Sequence, residues 1–105
     1  MIIRNDDNIH ELINSTPRVV IQFSASWCYP CKLLKPKLEK LEQENSDVTF
    51  VYLDIETAQE FAKTSGIMSV PTVIGYLNGS KFDRVDGGNE TAINNLVQRL
   101  TETGQ

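Results

Sequence analysis

The chain has 105 residues, 40% of them hydrophobic and 23% charged, with ten basic against fourteen acidic side chains and a net charge of −4. That length and balance exclude a disordered chain and leave room for one core, so residues 1–105 are read as a single domain. The acidic sign repels nucleic acid and anionic lipid, and no apolar run approaches the ~18 residues of a membrane span.

In chain order, residues 1–4 are a short apolar start, expected as an edge strand. The basic opening and apolar stretch of a secretory leader are not found over residues 1–7, so a cytoplasmic location is expected. Asp6 or Asp7 can cap a helix whose apolar positions Ile9, Leu12 and Ile13 fall at helical spacing, and Ser15-Thr16-Pro17 ends it. His10, the only histidine, has no nucleophile or acid arranged around it and reads as a solvated surface residue.

Residues 18–24 form a near-continuous apolar run, the signature of a strand buried on both faces in a parallel sheet. The only two cysteines follow, in Trp27-Cys28-Tyr29-Pro30-Cys31-Lys32. A helical pattern over 31–44 then carries Leu33, Leu34, Leu38 and Leu41 as its apolar stripe, with a kink expected at Pro36. Asn45-Ser46-Asp47 closes that helix and residues 48–54 make a second β-rich run. A connection of this length between strands implies a right-handed crossover and parallel pairing.

Weak helical periodicity over 56–64, through Ala58, Phe61 and Ala62, ends at Gly66 as a C-terminal cap. Residues 72–77 and 81–85 flank Asn78-Gly79-Ser80, a tight hairpin signal. Gly87-Gly88-Asn89 introduces a last helix with Ala92, Ile93, Leu96, Val97 and Leu100 on its buried side, and the tail after Thr101 is expected to fray. The order βαβαβαββα predicts an α/β sandwich.

The chemistry converges on the cysteine pair. A bridge across two intervening residues closes too small a loop to restrict the unfolded chain, so a packing staple is a poor account of it. In a reducing compartment such a pair is catalytic or metal-binding. Zinc wants four ligands, which two cysteines and one distant histidine do not supply, so no metal is expected. No glycine-rich nucleotide motif is present, and no cofactor beyond the dithiol is expected. Cys28, at a strand-to-helix junction, meets the positive end of the helix dipole, where cysteines have pKa values of about 3.5 to 7.5 instead of about 8.5. Cys28 is therefore expected to attack a substrate disulfide and Cys31, one helical turn away, to resolve the mixed disulfide. Pro30 suits the first helical turn, where its missing N–H leaves nothing unpaired.

Trp27-Cys28-Tyr29-Pro30-Cys31-Lys32 after a strand, with Val70-Pro71-Thr72 further on, resembles the thioredoxin family over residues 19–100. The resemblance implies the thioredoxin fold, a five-stranded mixed β-sheet flanked by four α-helices, and a protein disulfide reductase serving cell redox homeostasis. It implies protein disulfide substrates, a thioredoxin-reductase-type flavoenzyme or a low-molecular-weight thiol as electron donor, and a monomer. By the same resemblance Trp27 partly covers the active site and Pro71 is a cis proline beside the sulfurs. The Val70 backbone pairs with an extended substrate segment, and Gly87 leaves room for its approach.

Two departures stand out. Tyr29 occupies a place where general thioredoxins carry glycine, and Gln22 and Tyr52 replace a buried aspartate and its frequent lysine partner. Glutamine cannot titrate, so the Cys31 step is expected to be slower or to pass its proton to water. Two rival readings remain at this point. One is a thiol oxidant or disulfide isomerase, kept open by Tyr29. The other is a non-catalytic binding module using the apolar surface around Trp27, Tyr29 and Val70.

Overall fold

The computed structural model describes residues 1–103 and shows one sheet between two helical layers. Its strands are β1 (Ile2–Arg4), β2 (Arg18–Ser24), β3 (Thr49–Asp54), β4 (Thr72–Leu77) and β5 (Ser80–Asp86). Its helices are α1 (His10–Ser15), α2 (Tyr29–Glu44), α3 (Gln59–Thr64) and α4 (Glu90–Glu102). The strand order is β1-β3-β2-β4-β5, with β1·β3 and β2·β3 parallel and β2·β4 and β4·β5 antiparallel. The mixed five-stranded sheet with four helices expected from the sequence is thus present, with β1 at an edge.

Side-chain alternation along the strands divides the core in two. Val19, Ile21 and Phe23 of β2 join Val51, Leu53 and Ile74 in one half, with Ile13 of α1, Ile9 at its N-terminus and Phe61 from α3. Val20 joins Phe50 and Val73 in the other, under Leu34 and Leu38 of α2 and Ile93, Leu96 and Leu100 of α4. Every residue from Val19 to Ser24 is buried, as a two-sided strand requires.

Several local expectations shift for identifiable reasons. Asp6 and Asp7 do not cap α1, whose N-cap is Ile9 with no side-chain hydrogen bond. Asp6 instead accepts from the Arg4 guanidinium at 2.7 Å, and Asp7 Oδ1 accepts from the Phe61 amide at 2.8 Å, serving an unpaired N–H in the first turn of α3. That helix starts at Gln59, later than the periodicity suggested, because Asp54 Oδ1 draws the Glu56 amide into a turn at 2.8 Å.

Helix α2 begins at Tyr29, two residues earlier than predicted, and continues through Pro36. Leu33, counted in its apolar stripe, is 51% exposed, while Leu34 and Leu38 carry the packing. The hairpin is a two-residue turn with Asn78 at φ 51° and Gly79 at φ 87°, the conformation that Asn-Gly favours. Gly66, at φ 68°, closes α3 as expected. Helix α4 runs to Glu102 with Thr103 extended, and of the tail expected to fray, residues 104–105 lie outside the described residues.

Candidate active site

The directions of the strands collect the site at one end of the sheet. β2 and its parallel neighbour β3 both finish there, at Ser24 and Asp54. β4 runs antiparallel to β2, so Thr72 starts opposite Phe23, and β5 returns to end at Asp86 opposite Thr72. Two backbone bonds tie the resulting loops, from Ile55 N–H to the Ser24 carbonyl at 2.9 Å and from Gly87 N–H to the Pro71 carbonyl at 2.8 Å.

Cys28 is the N-cap of α2, with extended backbone, and its Sγ accepts from the Cys31 amide at 3.2 Å. A sulfur in that place receives the helix's first free N–H groups, which favour the thiolate when the pair is reduced. Cys28 and Cys31 are joined as a disulfide, with Cα atoms 5.3 Å apart. Both are buried, Cys31 fully and Cys28 with 3% exposed, and they pack on Ala25, Ile55 and Val70. The spacing predicted from sequence therefore brings the two sulfurs together.

Around this buried pair stands an exposed apolar rim. Trp27 is 68% exposed and Tyr29 67%, which removes Trp27 from the core where tryptophans usually lie. Pro30 is exposed in the first turn of α2, and with Leu33 and Gly88 it lines a shallow cleft of about 190 Å³. Val70 is half-buried against the cysteines, Pro71 is buried, and the bond between them is cis. Gly87 has φ 95°, and a Cβ there would meet nothing within 4 Å, so its conformation and not crowding selects glycine.

Gln22 is fully buried under α2, and its Nε2 donates to the Cys31 carbonyl at 2.9 Å. The amide thus holds the backbone of the second cysteine. Its Oε1 has no partner among the described residues. Tyr52 lies beside Gln22 on β3, with Lys35 Nζ 5.7 Å above its ring. His10 is exposed, on the far face with its ring edge-on to Phe61 at 5.0 Å, and takes no part in the site. Among the described residues no group of three or more His, Cys, Asp or Glu side chains is placed to hold a metal ion.

Sequence reasoning passed over two residues here. Ser24 and Asp54 read as ordinary strand ends, and only the parallel register places them side by side.

Comparison with known proteins agrees with this geometry. The family model described as Thioredoxin matches residues 1–100. A thioredoxin of Coprinus comatus is 34% identical over 100 residues, covering 93% of this chain and 94% of the relative. A thioredoxin of Echinococcus granulosus is 38% identical over 92 residues, covering 88% and 86%. Among solved structures, the oxidised mitochondrial thioredoxin 3 of Saccharomyces cerevisiae superposes with a TM-score of 0.88 at 30% identity, covering 94% of each chain.

Proposed function

The chain belongs to the thioredoxin family, and we propose that Cys28 is its attacking thiolate and Cys31 its resolving thiol. It is a thiol–disulfide oxidoreductase of the protein-disulfide-reductase kind, working through a redox-active disulfide on protein disulfide substrates. The observation that carries the assignment of roles is the N-cap position of Cys28, whose Sγ takes the Cys31 amide at 3.2 Å. A thiolate there is stabilised before it meets a substrate, whereas Cys31, inside the first turn and fully buried, has access only to a partner already attached to Cys28.

The cycle follows from those positions. Cys28 Sγ attacks one sulfur of the substrate disulfide and releases the other as a thiolate. Cys31 then gives up its proton and attacks Cys28 Sγ, closing the Cys28–Cys31 disulfide and freeing the reduced substrate. Gln22 holds the Cys31 carbonyl and thereby the first turn of α2 in place during the second step. Trp27, Tyr29, Pro30, Val70, Pro71 and Gly87 form the substrate surface, with the Val70 backbone pairing to an extended segment of the client. Residues 1–103 share one sheet with a core on each face, which supports a single thioredoxin domain over residues 1–105.

The cycle needs no cofactor beyond the cysteine pair, and its electrons come from a thioredoxin-reductase-type flavoenzyme or a low-molecular-weight thiol. We take the working form to be a monomer in the reducing cytoplasm; no described helix is long and apolar enough to cross a membrane. Trapping tests the roles directly. Cys31→Ser should accumulate a mixed disulfide with client protein and Cys28→Ser should not; the reverse pattern overturns the assignment. The reduction potential separates reductase from oxidant: a value near about −270 mV supports the former, and one near about −180 to −120 mV the latter.

A further inference from the structure

Four polar side chains form a block where the sheet would otherwise be apolar. In the parallel register of β2 and β3, Gln22 lies beside Tyr52 and Ser24 beside Asp54. Strand alternation turns all four to the face that α2 covers. At the inner end, Gln22 holds the Cys31 carbonyl. Two buried oxygens are left without a partner among the described residues, Gln22 Oε1 and Ser24 Oγ, although buried polar groups are ordinarily satisfied.

Ser24 also lines a cleft of about 230 Å³, together with Arg4, Ala25, Tyr52 and Asp54. At about 30 Å³ per molecule that is room for several waters, and orphaned polar atoms beside a cleft are where water binds. Ala25, part of that lining, also packs on Cys28 and Cys31. The cleft thus runs from the solvent edge at Arg4 to within one residue of the cysteine pair. Asp54 stands in its lining with one carboxylate oxygen taken by the Glu56 amide at 2.8 Å, and the other keeps its acceptor capacity.

Resting on the assignment of Cys31 as the resolving thiol, we propose that Asp54 receives, through Ser24 Oγ and water in this cleft, the proton that Cys31 loses in the second step. The Cys31 thiol gives its proton to the chain of hydroxyl and water, which passes one to the Asp54 carboxylate. The freed electron pair on Cys31 Sγ forms the bond to Cys28 Sγ as the Cys28–substrate bond breaks. The substrate sulfur leaves as a thiolate and is protonated by solvent. Asp54 returns its proton to bulk water at the open end. Asp54 acts through Ser24 and water and touches neither sulfur.

Gln22, which cannot titrate, supplies position, and Asp54 supplies the titratable group. The charged and titratable groups facing Asp54 are Arg4 from β1, held by Asp6; Tyr52 on its own strand, under Lys35 of α2; and Glu56 in the following turn, hydrogen-bonded to Ser26. β2 contributes only the neutral Gln22 and Ser24.

The test uses Asp54→Asn, which keeps an acceptor for the Glu56 amide and so preserves the turn. A disulfide-containing client peptide is mixed with the reduced protein, and rapid-quench alkylation follows formation and decay of the mixed disulfide from pH 5 to 9. Formation by Cys28 should be unchanged. Its decay should slow by about tenfold or more below neutrality, modest against the roughly 10²–10⁴ of direct proton transfer, and rejoin the wild type at alkaline pH where the Cys31 thiol ionises by itself. Ser24→Ala, which removes the hydroxyl link of the relay and breaks no hydrogen bond among the described residues, should shift the profile the same way. A wild-type pH profile in Asp54→Asn, or a loss equal at every pH, overturns the relay. Loss of mixed-disulfide formation by Cys28 would instead strike at the assignment of the cysteines.

Discussion

Gln22→Asp puts a titratable carboxyl where this chain has a neutral amide, and the consequence can be worked from its surroundings. The position is fully buried, its one hydrogen bond is donated to the Cys31 carbonyl, and its strand neighbour on β3 is Tyr52. An aspartate there loses hydration without gaining a cation beside it, and full burial raises a carboxyl pKa by about 3 to 5 units. At the lower end of that range, the folded-state value moves from about 3.9 to about 7. Each unit is about 1.4 kcal/mol, so the variant loses about 4 kcal/mol at high pH.

The sign is definite. Below about pH 4 the aspartate is protonated in both states and the charge costs nothing; the loss grows between about pH 4 and 7 and is flat above. Urea unfolding of variant and wild type at pH 4 and pH 8 should show a difference that widens by about 4 kcal/mol. The same carboxyl lies beside the Cys31 backbone, so mixed-disulfide resolution should gain a new pH dependence with a midpoint near the raised pKa. Equal destabilisation at both pH values would refute the burial argument. A resolution rate unchanged at every pH would refute the idea that this position controls proton loss from Cys31.

Three further outcomes follow from other parts of the molecule. A Cβ on Gly75 would lie 2.8 Å from Leu96 Cδ2 and 3.6 Å from Leu100 Cδ2, so Gly75→Ala should lose about 1–3 kcal/mol in chemical denaturation with thiol chemistry intact; full stability would refute the close packing. Burial pushes the Tyr76 phenol up to about 12 from 10, so the unfolded state loses its proton first and stability falls between about pH 10 and 12 by about 2–3 kcal/mol. Tyr76→Phe should remove that share of the alkaline loss, read as the difference between the two unfolding curves, and an identical alkaline slope would refute it. Trp27, 68% exposed, should tolerate Ala within about 0.5 kcal/mol while the KM for a protein disulfide rises several-fold; a loss of about 3–5 kcal/mol would return it to the core.

Local chemistry made much of this molecule legible in its sequence. The hairpin is announced by Asn78-Gly79, the two-sided strand by the near-continuous apolar run over residues 18–24, and the reactive turn by two cysteines at the start of a helix. Contacts between distant segments were illegible because nothing local encodes them. Asp7 looks like a cap for the helix beside it and instead serves the amide of Phe61. Arg84 gives no hint that its guanidinium holds the carbonyls of Ser65 and Gly66 at the end of α3, at 2.7 and 2.9 Å. Leu33 satisfies the helical period yet faces outward near the site, since periodicity marks a face without saying how wide the covering layer is.

The polar block under α2 shows most clearly what a sequence withholds. Gln22 and Ser24 are separated by one residue, so a reader can place them on one strand face. That Tyr52 and Asp54 complete the block depends on the register of a parallel pair, and a slip of one residue would send both to the opposite core half. The register is held by apolar partners on both faces: Val20 beside Phe50 on one and Ile21 beside Val51 on the other, each fully buried. Packing that has nothing to do with redox chemistry therefore sets where the only carboxylate in this row can stand. Because β2 and β3 run in the same direction, that carboxylate falls at the end of the sheet where the cysteine turn begins. An antiparallel β3 would have carried Asp54 to the opposite end, away from Cys31.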